Sequence, residues 1–251
     1  NAIVTGGARG IGLEVCIKLA SAGSNVVSLD ISKSKMNLQL PPKSGNVEFV
    51  QCDISRENER NKALNKIYKN YNSFEILVNN ARYKNDSDLK ESVEDWTSAL
   101  EVGLTAPFFL SQEFISREIN GGSIINICSV ASFLATSQAP SYHAAKGGLL
   151  SLTKYLAIEG GKRGVRVNAI LPGLIIQEDH LERFHNPENA LYKYLSQQYH
   201  PMGEVGSQKD VAEMVLFLSS DKTRYVSGTS ISVDGGGTIQ DQFSLVKKIN
   251  N

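Results

Sequence analysis

The chain opens with a short apolar run, Ala2-Ile3-Val4-Thr5, that meets a glycine-rich turn, Gly6-Gly7-Ala8-Arg9-Gly10-Ile11-Gly12. An amphipathic stretch follows from Leu13 to Ala22, so the segment reads strand, tight turn, helix. Glycines there let a backbone approach a pyrophosphate, and the first N–H groups of the helix point at the anion. The alternation then continues. Residues 2–5, 26–30, 47–52, 76–79, 123–127, 166–170 and 230–233 read as strands, and the first six are apolar or β-branched runs suited to burial on both faces. Helical patterns lie near 11–22, 56–71, 93–120, 141–161 and 209–219. This order predicts an α/β fold, a doubly wound and largely parallel seven-stranded sheet with helices on both faces, built by 1–251 as a single domain. Residues 32–45 are polar, contain two prolines and read as a surface connection with one helical turn. The segment 177–204 is too long for a connection and is rich in Tyr, His, Leu and Glu.

A second pattern carries chemistry. Tyr142 and Lys146 stand four residues apart in Ser141-Tyr142-His143-Ala144-Ala145-Lys146-Gly147-Gly148, and Ser129 lies thirteen residues before the tyrosine. On a helix, positions i and i+4 share a face, about 6 Å apart along the axis. A positive charge held there favours the phenolate, and such a tyrosine can take a proton from an alcohol or give one to a carbonyl. Neither this pair nor the glycine turn is specific alone, since exposed Tyr–Lys pairs and glycine turns are common.

Together these residues resemble the compact, single-domain branch of the short-chain dehydrogenase/reductase family. Its cofactor turn, T-G-x-x-x-G-x-G, is matched by Thr5, Gly6, Gly10 and Gly12. Its N-N-A-G motif is matched in three of four positions by Asn79-Asn80-Ala81-Arg82, its Ser and Y-x-x-x-K by Ser129, Tyr142 and Lys146, and its later P-G by Pro172-Gly173. The resemblance runs from Ala2 to about Gly237 and implies a Rossmann-type oxidoreductase acting on a CH–OH group. In that role Tyr142 is the acid/base, Lys146 tunes it and holds the nicotinamide ribose, and Ser129 binds the substrate oxygen. The cofactor contacts implied are Gly6, Arg9, Gly10, Ile11, Gly12, Asp30, Asp53, Ile54, Asn80, Ala81, Tyr142, Lys146, Pro172, Gly173 and Ile175. Asn79 ties strands together, and 177–204 forms a lid over the substrate.

Asp30, at the end of the second strand, suits a ribose diol and repels a 2′-phosphate, whereas Arg9 could pair with that phosphate. NAD is therefore expected over NADP. Asp53 has a plainer reading as a helix cap. No metal is expected, because His143, His180, His185 and His200 lack ligand spacing; the last three belong in or beside the lid as polar lining or exposed loop.

The sequence departs from the family at Gly103, where an asparagine usually holds a relay water, at Arg82 for glycine, at Gln177 for threonine and at Glu204 for arginine. Two other readings stay open: an NADPH-dependent carbonyl or 3-oxoacyl reductase, and a non-catalytic nucleotide-binding protein. Hydrophobic content of 41%, charged content of 21% and a net charge of zero give no sign of a nucleic-acid or membrane partner. The partner expected is a small alcohol or ketone. Cys16, Cys52 and Cys128 are few and scattered, which points to a reducing cytoplasm. The first strand begins beside Asn1, so a targeting segment upstream stays open. Related enzymes pair through helices matching 105–120 and 143–161, so a homo-oligomer, dimer or tetramer, is implied. The small residues Ala144, Ala145, Gly147 and Gly148 serve either that contact or packing within the chain.

Overall fold

The computed structural model describes residues 1–32, 38–85, 88–118 and 120–250. Its frame is a parallel sheet of seven strands: β1 (Ala2–Thr5), β2 (Val26–Asp30), β3 (Val47–Gln51), β4 (Ile76–Asn79), β5 (Gly122–Ile127), β6 (Val165–Pro172) and β7 (Ser230–Val233). The spatial order is β3-β2-β1-β4-β5-β6-β7. Strand order therefore reverses between β1 and β4, and their carboxyl ends diverge into a crevice, the usual ligand position in such sheets.

Side chains alternate between two cores, as strand periodicity requires. Ile3, Leu77 and Ile124 face one side, where they meet Leu64 and Ile67 of α2 (Glu57–Asn70), Leu110 and Phe114 of α4 (Ala106–Arg117) and Leu156 of α5 (Pro140–Gly161). Ala2, Val4, Val78 and Ile125 face the other, against Val15 and Leu19 of α1 (Gly10–Ser21) and Val211, Val215 and Leu218 of α8 (Gln208–Ser219). Truncating a fully buried aromatic such as Phe114 to alanine would cost about 3–5 kcal/mol, because the cavity adds to the lost transfer energy.

The expected strands are all present, with shifted ends. The third stops at Gln51 rather than at 52, and the fifth begins at Gly122 rather than at 123. The sixth runs to Pro172 rather than to 170, because Ala169–Pro172 pair with Ser230–Val233 of β7. The helical pattern expected over 93–120 is three pieces. These are α3 (Val93–Leu100), a π-helical segment at Glu101–Thr105, and α4, with the Ala106 N–H donating to the Glu101 carbonyl. Residues 33–37, within the expected surface connection, lie outside the described residues. Segment 177–204 holds α6 (Glu178–His185) and α7 (Ala190–Tyr199), joined through the edge-to-face rings of Phe184 and Tyr192. A further helix, α9 (Gln242–Asn250), follows the last strand and has no counterpart in the sequence reading.

Two of the small residues of α5, Ala145 and Gly148, pack within the chain. A Cβ on Gly148 would meet Leu104 Cδ2 at 2.8 Å, and one on Gly103 would meet Ala145 Cβ at 3.0 Å. Among the described residues, no helix is long and apolar enough to cross a membrane.

The three cysteines are free and buried. Burial pushes the Cys16 thiol up to about 12, and those of Cys52 and Cys128 up to about 11. Unfolded thiols ionise near ~8.5. The folded state thus holds protons that the unfolded state has released. The stability this gives is complete below about pH 8.5 and is lost as pH rises through about 11 to 12. A thiol reagent at pH 8 should leave the native protein unlabelled and modify all three cysteines after denaturation, and Tm should fall between about pH 9 and 11. Stoichiometric labelling of the folded protein would contradict this burial.

Candidate active site

The crevice between β1 and β4 is closed at its base by hydrogen bonds from one hydroxyl and one amide. The Thr5 Oγ accepts from the backbone N–H groups of Asn80, at 3.0 Å, and Ala81, at 3.1 Å. The Asn80 side-chain amide donates to the carbonyls of Thr5, at 2.9 Å, and Gly6, at 3.1 Å. The two strand ends are thereby fixed relative to each other where the glycine turn departs.

That turn leaves no space for side chains. Gly6 takes φ +68°, and a Cβ on it would come 2.8 Å from Ala81 Cα. A Cβ on Gly12 would come 2.1 Å from the Gly6 carbonyl oxygen. Helix α1 starts at Gly10 with Arg9 at its N-cap, and no side chain caps it and no acid lies in its first turn. Its leading N–H groups therefore remain able to bind an anion. Arg9 is exposed. Ile11 rests against the core. Asp30 sits beside the turn, where its carboxylate accepts from Ala8 N–H at 3.0 Å and Ser32 N–H at 2.8 Å. Across the crevice, the Gln177 side chain lies over Gly10, with its Oε1 2.8 Å from where a Cβ on that glycine would stand.

Other expected contacts are placed less simply. One Asp53 oxygen accepts from the backbone N–H of Ser55 at 3.1 Å and its hydroxyl at 2.6 Å, while the other pairs with Arg56 at 3.2 Å. Its carboxylate thus shapes the turn ahead of α2 and is not the helix cap, since Arg56 holds the N-cap position and no side chain caps the helix. The Ile54 side chain is buried in the core. Pro172 and Gly173 are held against β7, with Gly173 N–H donating to the Val233 carbonyl at 3.0 Å. Ile175 forms an isolated parallel bridge with Gly206.

Lys146, Tyr142 and Ser129 are gathered by α5 and the end of β5. Lys146 is only 3% exposed. Its ammonium donates to the Ile127 carbonyl at 2.6 Å and lies 5.8 Å from the centre of the Tyr142 ring. Two residues beyond Ile127, Ser129 caps a short 3₁₀ turn, its Oγ accepting from Ala131 N–H at 3.1 Å. That bond uses a lone pair and leaves the Ser129 O–H able to donate. Within the same turn, Ser132 Oγ donates to the Lys146 carbonyl at 3.0 Å. The serine segment is therefore attached to the helix at Lys146 through both its side chain and its backbone. The ammonium also opposes the burial that raises the neighbouring Cys128 thiol.

Beneath this lies a buried polar chain. The Asn79 amide donates to Ser111 Oγ at 3.1 Å and Asn126 Oδ1 at 2.8 Å, and Asn126 donates to Thr153 Oγ at 2.9 Å. Asn79 ties β4 to β5 and α4, which is the strand-linking role the resemblance implies.

Two contacts were not legible in the sequence. The Glu91 carboxylate accepts from both the backbone N–H and the hydroxyl of Ser141, the residue before Tyr142. It satisfies an otherwise unpaired N–H in the first turn of α5. His143 reaches the Ala139 carbonyl with Nδ1 at 3.0 Å and accepts the Thr136 N–H on Nε2 at 3.0 Å. Those partners require the Nδ1–H tautomer and fasten the loop after Ser129 to α5. The other histidines differ from one another. His185 is exposed beside Lys193. His200, expected as lining or exposed loop, is instead 1% exposed and packs against the Gly235–Gly237 turn. The His180 side chain lies outside the described residues. Glu204 is exposed. Among the described residues, no cluster of His, Cys, Asp and Glu is placed to hold a metal.

A cavity of about 10 Å³ lies against Tyr142 and Lys146, walled by Arg82, Tyr83, Gly103 and Ala145 among others. Its size is that of one water molecule. Gly103 lies in the π-helical segment, where the wider turn disturbs the regular backbone ladder. The site therefore has, at the position of the family asparagine, a small hollow beside widened backbone.

Comparison with known proteins agrees with this geometry. The family profile described as Enoyl-(Acyl carrier protein) reductase matches residues 6–238. A 3-oxoacyl-[acyl-carrier-protein] reductase of Aquifex aeolicus is 37% identical over 244 residues, covering 93% of this chain and 95% of that one. An uncharacterized oxidoreductase of Thermotoga maritima is 33% identical, covering 95% and 96%. Among solved structures, the ligand-free aldohexose dehydrogenase of Thermoplasma acidophilum superposes with a TM-score of 0.85 at 28% identity, covering 96% of this chain and 94% of that chain. The match spans nearly the whole chain in sequence and in fold, and the protein belongs to the short-chain dehydrogenase/reductase family of NAD(P)H-using oxidoreductases that act on CH–OH or keto groups.

Proposed function

We propose that the protein transfers hydride between a secondary alcohol and NAD, with Tyr142 as acid/base. The observation that carries this reading is the buried Lys146 ammonium, locked to the Ile127 carbonyl beside the Tyr142 ring. A dinucleotide suits the crevice. The side-chain-free turn of Gly6, Gly10 and Gly12, with Arg9 and Ile11, offers the N–H groups of α1 to a pyrophosphate. Asp30 would accept from the adenosine ribose, and the backbone at Asp53 and Ile54 would border the adenine. Asn80 and Ala81 line the floor, Lys146 would hold the nicotinamide ribose, and Pro172, Gly173 and Ile175 would bound the nicotinamide end.

When bound, the cofactor supplies the hydride acceptor or donor. The chain's own groups handle the proton and the oxygen. Ser129 Oγ donates to the substrate oxygen and stabilises its developing charge. Tyr142 takes the hydroxyl proton, with the Lys146 ammonium beside its ring. A water in the cavity at Gly103 would pass that proton onward from Lys146, in place of an asparagine side chain. Helices α6 and α7 would cover the substrate.

The likeness to the 3-oxoacyl-[acyl-carrier-protein] reductases of Aquifex and Thermotoga favours a second reading, reduction of 3-oxoacyl groups, for which NADPH would be the cofactor. Arg9 is the residue that would serve it, by pairing with a 2′-phosphate. The exposed Phe109 of α4 and Tyr155 and Ile158 of α5 support self-association through those helices, as a dimer or tetramer. The free thiols support a reducing, cytoplasmic setting.

A screen of secondary alcohols and ketones with each cofactor tests the reading. Tyr142→Phe should lower turnover by about 10²–10⁴-fold while leaving NADH affinity close to that of the unmodified protein. Retention of most turnover would remove Tyr142 from the chemistry. In fluorescence titrations NAD(H) should bind more tightly than NADP(H), and Asp30→Ser should narrow the gap. Equal affinities in the unmodified protein would move the assignment to the reductase.

A further inference from the structure

Arg82 ends the floor of the crevice, one residue beyond Ala81, where the matching family motif has glycine. It lines the same cavity as Tyr142 and Lys146. Its side chain is exposed, and among the described residues it makes no hydrogen bond, ion pair or ring contact. It does not stack on Tyr83, whose hydroxyl is instead engaged with Asp95 at 2.8 Å. The residues lining this cavity include two cations, Arg82 and Lys146, and no carboxylate. In the same loop, the Glu91 carboxylate is already engaged by Ser141 and Asn85. Lys146 is buried on the Ile127 carbonyl, whereas the Arg82 guanidinium is free to turn toward a ligand.

We propose that Arg82 binds a carboxylate of the substrate, so that the enzyme acts on hydroxy acids and keto acids in preference to neutral alcohols and ketones. The proposal rests on the dehydrogenase reading above and narrows it to a substrate class. A guanidinium offers a planar pair of N–H donors that matches a carboxylate, and such charge-assisted pairs are the strong members of their class. Fixing the carboxylate at one end of a short molecule orients its carbinol carbon at Tyr142, which is the positioning that hydride transfer needs. The cavity itself has room only for water, so the acid group would be met at its open side, where Arg82 is exposed. The other anion within reach of this loop is the cofactor pyrophosphate, because Ala81 touches the glycine turn.

The experiment compares kcat/KM for short-chain 3-hydroxy acids with that for their methyl esters, which share the carbinol and differ in charge. The unmodified protein should prefer the acids by about tenfold or more. Arg82→Ala should bring the ratio toward one, and Arg82→Lys should retain part of it. A ratio untouched by Arg82→Ala overturns the proposal, and turnover of the esters in that case shows that the dehydrogenase reading stands without it. NADH titrations of Arg82→Ala separate the two anions: a tenfold weaker cofactor with an unchanged acid-to-ester ratio assigns the guanidinium to the pyrophosphate and overturns the proposal. Binding of the free acids to the NADH complex gives an arm independent of turnover. Acid binding that is lost in Arg82→Ala supports the site, and equal binding of acid and ester overturns it.

Discussion

The Lys146 ammonium is out of water, and among the described residues its hydrogen-bond partner is a neutral carbonyl, that of Ile127. A charge buried in this way is tolerated only where surrounding structure holds it, since desolvation of an ammonium is costly. The bond therefore fixes where α5 sits along β5, and with it the relative places of Tyr142, on the helix, and Ser129, beyond the strand. Ser132 repeats the attachment from the other side through the Lys146 carbonyl. Glu91 and His143 then secure the start of the helix from two separate loops. Tyr142 is consequently held by bonds made at Ser141, His143 and Lys146, while its own hydroxyl makes no hydrogen bond among the described residues and so stays open for the proton transfer proposed for it.

The glycine-turn side of the crevice is held in the same way. Thr5 and Asn80 join the diverging strand ends, and glycine conformations bring the backbone of the turn against Ala81 and under α1. The buried chain from Ser111 through Asn79 and Asn126 to Thr153 links β4 and β5 to helices α4 and α5 beneath Tyr142 and Lys146. Such chains have little freedom in a low-dielectric interior, where each lost partner leaves an unsatisfied group.

Much of this was readable in the residues because parallel strands buried on both faces are near-continuous apolar runs, and because Gly6, Gly10 and Gly12 or Tyr142 and Lys146 act through local spacing. Strand ends were less readable: β6 continues to Pro172 because hydrogen bonds to β7 outlast the apolar run. A periodicity argument over 93–120 also passes over one widened turn, so the π-helical segment at Gly103 stayed hidden. The Glu91–Ser141 contact joins residues 50 apart, and nothing in either neighbourhood signals it. His200 read as lid lining because its burial comes from glycines far along the chain, at Gly235 and Gly237. Asp53 matched a motif position while its carboxylate was already committed to Ser55 and Arg56.

The most direct test of the account is turnover and NADH binding of a Lys146→Met variant, which keeps length and burial and removes the charge. If the buried ammonium organises the reaction, kcat should fall by about 10²-fold or more while circular dichroism shows the fold retained. NADH affinity should fall with it, through the lost hold on the nicotinamide ribose. A folded Lys146→Met protein that turns substrate over at close to the unmodified rate would contradict the account.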